Sequence, residues 1–391
     1  MKKVLVPRVR FKGFSEEWKE DTIGNIANIT NGKLDANAMV KSGMYNFYTS
    51  GIDVYKIDKY SFEGKGISIA GNGVNMGYMH LVSGKYNAYQ RTYILNNIKI
   101  DRHFLFYNLW KNFWEVCQKN TREGSIPYLL YNDISDFKIF KSHSNEQQKI
   151  GKLLDQISNL ITLEQSKLNK LKQLKETLLQ KMFPEGNSKT PRIRFKGFEG
   201  EWKEERLENI TKRMSSGGTP STTIKKFYNG KIPFLTISDM TKVGKYINNT
   251  EKNITPEAIE NSSTWLVPKN SLLLSMYASF GKTAINKKEI TTSQAILGII
   301  LNNNISVEFL YYLLFLMDIN QYWYKQVETG TQPNLSNWTV SKTLIKLTKN
   351  ISEQQKIGDF FSNIDTLINL YNSKLNKLKQ IKEALLQKLL I

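Results

Sequence analysis

Two stretches of the chain occur twice, and these repeats limit its fold more than any property of its composition. "PRVRFKGFSEEWKE" at 7–20 returns as "PRIRFKGFEGEWKE" at 191–204, with eleven of fourteen positions identical. "EQQKIGKLLDQISNLITLEQSKLNKLKQLKETLLQK" at 146–181 returns at 353–388 with 24 of 36 positions identical. A short signature, a long divergent region and a repeated segment thus follow one another twice in the same order. The chain reads as a tandem duplication whose two copies share one plan.

The longer repeat has the periodicity of a helix. Leu154, Ile157, Ile161, Leu168, Leu171 and Leu178 form an apolar ladder, and Phe361, Ile364, Ile368, Leu375, Leu378 and Leu385 repeat it 207 residues on. The three-and-four spacing is that of a coiled-coil seam. Polar residues interrupt it at Glu164 or Tyr371 and at Lys175 or Lys382, a device that fixes register at some cost in stability. Asn145 with Gln148, and Ser352 with Gln355, are the expected cap pairs, and Phe183, Pro184 and Gly186 are the expected stop of the first helix. At 1.5 Å per residue each 36-residue segment spans roughly 54 Å, more than one small domain needs for its own core. The two helices are expected to pair with each other and to hold two globular regions apart. A coiled coil that serves only dimerisation is the alternative.

A thin register survives in the divergent regions. Gly77 and Gln90 stand thirteen apart, as do Gly281 and Gln294, and "GSIPYL" at 124–129 answers "GTQPNL" at 330–335. The offset rises from 184 through 204 and 206 to 207, which places about twenty extra residues early in the second copy. "GISIA", "RTYIL", "IPFLTI", "SLLLSMY" and "AILGII" read as strands; "FLFYNLWKNFWEVC" and "VEFLYYLLFLMDINQYW" read as buried helices. The expected fold class is α+β: two similar mixed α/β domains separated by two long helices that pair as an antiparallel coiled coil. The expected boundaries are 1–145 for the first domain, 146–183 for the first helix, 184–352 for the second domain and 353–391 for the second helix.

Composition points to the partner. The formal charge is +20, with the excess spread over both copies, and a field of that sign and size attracts polyanions. One cysteine, Cys117, excludes a disulfide framework, and no apolar run is long enough to span a membrane, so a cytoplasmic protein is expected. Catalytic signatures are missing. His80, His103 and His143 are scattered; "GKT" at 281–283 lacks the first glycine of a phosphate-binding loop; and "GNGVNMG" at 71–77 is only a loose match to a dinucleotide turn. No adjacent prolines occur, as the motif of amino-group DNA methyltransferases requires.

The signature P-R-x-R-F-K-G-F with its W-K ending, the E-Q-Q-K-I-G opening of each helix, the S-K-L-N-K-L-K-Q and L-L-Q-K ending, and the "GSIPYL"/"GTQPNL" pair resemble the specificity subunit of type I restriction-modification systems. The likeness runs the length of the chain in the right order. It implies a non-catalytic reader of double-stranded DNA, in which each domain reads one half of a bipartite, asymmetric target. It also implies two modification (methyltransferase) subunits docked on the helices and restriction (motor-nuclease) subunits recruited to the complex. S-adenosylmethionine, ATP and Mg would belong to those partners, with no cofactor or metal in this chain. A two-domain coiled-coil scaffold without sequence-specific DNA binding is the competing reading.

Candidate DNA contacts lie in polar, glycine-rich loops, where small residues let backbone approach DNA and amides read base edges. In the first domain these are Lys33, Asn72, Asn75, Tyr78, Gln90, Arg91, Arg122 and Ser125. In the second they are Ser216, Thr219, Ser221, Ser275, Tyr277, Lys282, Gln294, Thr331 and Gln332. Gln90 and Gln294 stand out, because glutamine can pair with adenine through two hydrogen bonds and both occupy the same register. The aromatic sets around Phe104–Trp114 and Tyr311–Trp323 have helical spacing and are expected in the core rather than as stacking platforms. Trp18 and Trp202 are expected to anchor the signatures, while Arg8, Arg10, Arg192 and Arg194 face either partner subunits or phosphate.

Overall fold

The structure is a computed structural model and describes residues 5–119, 126–242, 244–327 and 334–391. Contacts divide the chain into two compact units, 1–166 with 372–391, and 167–371, so each long helix is shared between them. The helices run Ser144–Met182 and Ile351–Leu389.

In the first unit, four antiparallel strands lie in the order Asn28–Asn31, Thr92–Asn96, Gly66–Ala70 and Met79–Val82. A second sheet orders Val54–Ile57, Tyr45–Tyr48, Lys85–Ala88 and Phe62–Glu63. The second unit repeats the first sheet as Thr211–Ser216, Ile296–Leu301, Leu272–Ser275 and Thr283–Asn286, with Tyr246–Ile247 added in parallel at the edge. Its other sheet has three strands, Lys252–Ile254, Tyr228–Leu235 and Thr291–Thr292. The extra residues of the second copy fall between Gly218 and Ser271, where they add the short helices Ile237–Lys242 and Pro256–Glu260.

All five stretches read as strands overlap one, although the strand Tyr228–Leu235 begins four residues before "IPFLTI" and ends within it. The two aromatic helices are each broken once: Arg102–Asn112 and Trp114–Lys119 flank Phe113, and Val307–Ile319 and Tyr322–Gln326 flank Gln321, which lies at φ 55°. Phe104, Tyr107, Phe113, Tyr311, Tyr312 and Trp323 are buried as core residues, whereas Trp110 and Trp114 are exposed at 41% and 59%.

The repeated signatures are fasteners. Each enters a two-stranded ribbon, Lys19–Thr22 with Lys138–Lys141 and Lys203–Arg206 with Leu344–Leu347, whose second strand feeds directly into a long helix. Arg10 grips Glu146 through two hydrogen bonds of 2.7 and 2.9 Å, and Arg194 grips Glu353 at the same two distances. Both glutamates are fully buried, so these arginines face the protein's own helix starts, not a partner subunit or phosphate. Arg192 pairs with Glu185 at the surface and Arg8 is exposed. Trp18 packs edge-on to Phe104 among Ile150, Leu154, Leu386 and Leu389, and Trp202 packs on Phe183 and Phe309.

The rest of E-Q-Q-K-I-G follows from the same docking. Gln147 accepts from the Asp101 amide and donates to the Ser142 carbonyl; Gln354 does the same with Ser306 and Thr348. Gly151 and Gly358 let the neighbouring helix start come close, since a Cβ there would lie 2.9 Å from the Phe104 or Phe309 amide nitrogen. The caps sit earlier than the sequence suggested. Asn350, not Ser352, accepts from the Ser352 and Glu353 amides, and His143, not Asn145, stands at the first helix start. Side-chain capping is available at those positions because the preceding strand ends there.

The helices pair antiparallel within each unit. In the first, buried Glu164 accepts from Lys374 at 3.0 Å; in the second, Lys175 donates to Asp365 at 2.6 Å. The polar interruptions of the seam are therefore cross-helix ion pairs at Glu164 and Lys175, while Lys382 lies over the rings of Tyr107 and Trp110. Leu154, Leu168, Phe361, Ile364 and Leu375 are buried, and the remaining ladder residues are half-buried.

Candidate nucleic-acid interface

In both domains the predicted loops converge on one end of the first sheet, pinned there by backbone hydrogen bonds. In the first domain the Gly71 amide donates to the Arg91 carbonyl, Leu129 to Gly71, Gly73 to Pro127, and Gln90 to Leu34. In the second, Met276 donates to Ala295, Leu335 to Met276, Gly217 to Ile296 and Gly218 to Thr292. Gly32 and Gly217 are equivalent close-packing points: a Cβ would come within 2.1 Å of the Ala88 carbonyl oxygen or 1.9 Å of that of Thr292. Only glycine fits, so the loop that follows is held against the loop carrying Gln90 or Gln294. Gly77 and Gly281 turn the next loop at φ 84° and 86°, values that favour glycine.

Several predicted residues meet here. Gln90 and Arg91 are exposed and line a polar cleft of about 300 Å³ with Asn31, Gly71, Tyr93 and Leu129. Burial pushes the Tyr93 phenol above its ordinary pKa, and its hydroxyl donates to the Leu129 carbonyl at 3.0 Å. Lys33 is exposed beside Gly32. Asn72 accepts from the Ser50 hydroxyl at 2.6 Å. In the second domain Thr219 donates to the Gln294 side-chain oxygen at 2.7 Å, and both are exposed. Tyr277 is exposed and bridges to Asn334, and Lys282 is exposed.

The other described candidates make different contacts. Ser275 is fully buried; its hydroxyl donates to the Ser279 carbonyl and accepts from the Lys282 amide, so it shapes the turn and presents nothing to a ligand. Tyr78 is wedged edge-on between His80 and Trp110. The Ser216 carbonyl accepts from the Trp265 indole, and Ser221 pairs with Thr223. Asn75 lines a separate, apolar cleft with Val74, Met76, Leu109, Trp114 and Cys117. Arg122, Ser125, Thr331 and Gln332 lie outside the described residues. Sequence reasoning passed over Asn31 and Ser50; for Asn31 the adjacent Gly32 was a signal for close backbone approach.

The fold and these loop ends define a class: a duplicated chain in which a constant frame of signatures and helices displays two sets of divergent polar loops. Residues 15–173 and 199–380 match the family model described as type I restriction modification DNA specificity domain, and the chain belongs to that family. It is 32% identical over 158 residues to the type I restriction enzyme EcoDI specificity subunit of Escherichia coli, covering 40% of this chain and 35% of that one. It is 34% identical over 182 residues to the MjaIX specificity subunit of Methanocaldococcus jannaschii, covering 46% and 40%. The chain thus matches less than half the length of these curated relatives. A solved type I restriction-modification S subunit from M. genitalium superposes with a TM-score of 0.70 over 99% of both chains at 19% identity, a likeness of fold. No helix among the described residues is long and apolar enough to cross a membrane.

Proposed function

We propose that the chain is the DNA sequence-recognition subunit of a cytoplasmic type I restriction-modification complex, with each domain reading one half of a bipartite, asymmetric target. The observation that carries this reading is the contrast within the repeat: the fastening residues are the same in both copies, while the loops around the shared Gln90 and Gln294 differ in sequence. A frame kept constant around different loops suits two readers of two different sequences, which a symmetric homodimer cannot provide. The net charge of +20 supplies the attraction to phosphate.

The helices dock the methyltransferase subunits. Leu160, Leu163 and Leu174 on the first helix and Leu367, Leu370 and Ile381 at the equivalent places on the second are exposed at 37–61%, and such uncovered apolar residues suit a protein partner. Methyl transfer and cleavage, with S-adenosylmethionine, ATP and Mg, reside in the modification and restriction subunits, and this chain is not itself catalytic. The test is to mix the chain with its modification subunits and a random duplex library at physiological salt and to sequence what is retained. A two-part sequence with an unread spacer is expected. Retention without sequence preference favours the scaffold reading instead.

A further inference from the structure

The two loop ends share a scaffold but differ at one contact. Gly32 and Gly217 press on equivalent carbonyls, Ala88 and Thr292, and two residues further on stand Leu34 and Thr219. Gln90 and Gln294 occupy equivalent positions across from them. Leu34 offers only its backbone carbonyl, which accepts from the Gln90 amide, and its side chain has no hydrogen-bonding group. Thr219 donates its hydroxyl to the Gln294 side-chain oxygen at 2.7 Å.

A terminal amide torsion is broad and roughly two-fold, so an unpinned glutamine exchanges its oxygen and nitrogen at little cost. A hydroxyl at 2.7 Å anchors the amide of Gln294 in one place, here with the amide oxygen accepting from it. The anchored oxygen keeps its second lone pair, and the NH2 group has no hydrogen-bond partner among the described residues. That pattern, one acceptor beside one donor held in place, matches N6 and N7 on the major-groove edge of adenine.

We infer that Thr219 is a positioning residue that fixes the amide of Gln294 to read an adenine in the half-site of the second domain. The inference rests on the DNA-reading function above. Among the described residues no side chain holds the Gln90 amide in this way, and Gln90 discriminates less sharply at its own position. Both Thr219 and Gln294 are exposed, so substitutions there leave the fold intact.

The experiment uses the full chain with its modification subunits and the random duplex library, comparing wild type, Gln294→Ala, Thr219→Val and Thr219→Ser. Gln294→Ala is expected to abolish the preference for adenine at one base pair of one half-site. Thr219→Val should weaken that same preference about 3- to 10-fold, and Thr219→Ser, which restores the hydroxyl, should retain it. If Thr219→Val matches wild type at every position while Gln294→Ala does not, Gln294 reads without help and the positioning role is overturned. If Gln294→Ala also leaves a two-part sequence unchanged, the pair is not a reader, although DNA reading by the chain stands. Enrichment of no sequence by the wild-type complex overturns both.

Discussion

The two units fasten their domains with the same parts but differ in what lies beneath the fasteners. In the first, the Tyr107 hydroxyl donates to Ser158 at 2.8 Å and Lys382 covers the ring without an ion pair among the described contacts. In the second, Tyr312 donates to Asp365 at 2.6 Å, Lys175 donates to the same carboxylate, and Lys245 lies over Tyr311 and Tyr312 while donating to Ser362 at 2.6 Å. A neutral contact in one unit has become a charged network in the other. The difference teaches that the duplication preserved how a domain attaches and left free the interior chemistry that fits around it.

If attachment is the shared element, breaking it should cost the same in both units. Arg10→Ala and Arg194→Ala each strand a buried glutamate and are expected to lower stability by about 3–5 kcal/mol. Chemical denaturation of both variants checks this, and a gap of more than ~1 kcal/mol between them would show that the fasteners are not equivalent. The next effect probes where the interiors differ. Gly77 is backed by Cys117, and Gly281 by Trp323, the corresponding position. The apolar cleft of the first unit, about 330 Å³, is lined by Cys117, whereas Trp323 is fully buried. Trp323→Cys should open a comparable space in the second unit and cost about 2–4 kcal/mol, somewhat less than a full truncation to alanine.

The smallest effect concerns charge. Burial lowers the Lys245 pKa to about 8, against roughly 10.4 in an unfolded chain. Between those values the unfolded chain binds more protons, so stability rises with pH there, and the burial penalty is at full size below pH 8. Relative to Lys245→Met, the wild type should therefore gain about 1 kcal/mol between pH 8 and 10, after allowance for solvent screening. Denaturation at several pH values measures it, and parallel curves for the two proteins would mean that Lys245 keeps an ordinary pKa.

What the sequence disclosed follows the same division. Near-identical segments could be compared with each other, so the duplication, the long helices, the strand-forming stretches and the place of the extra residues were legible. The role of Arg10 and Arg194 was not, because a conserved-looking arginine in a basic protein reads equally well as a phosphate contact until its buried glutamate is seen. Ser275 misled for a related reason: a serine in a polar turn looks available, and only the fold shows its hydroxyl engaged by Ser279 and Lys282. The pairing of Thr219 with Gln294 joins residues 75 apart across a glycine contact, and no local pattern announces it.

If the two readers act independently, exchanging one of them shows it most directly. Residues 205–350 are replaced by the corresponding domain of a relative, the chain is expressed with its modification subunits, and the methylated sites of the host genome are mapped. One half of the methylated sequence should change to that of the donor while the other half stays as it was. A change in both halves, or in neither with the complex still active, would contradict it.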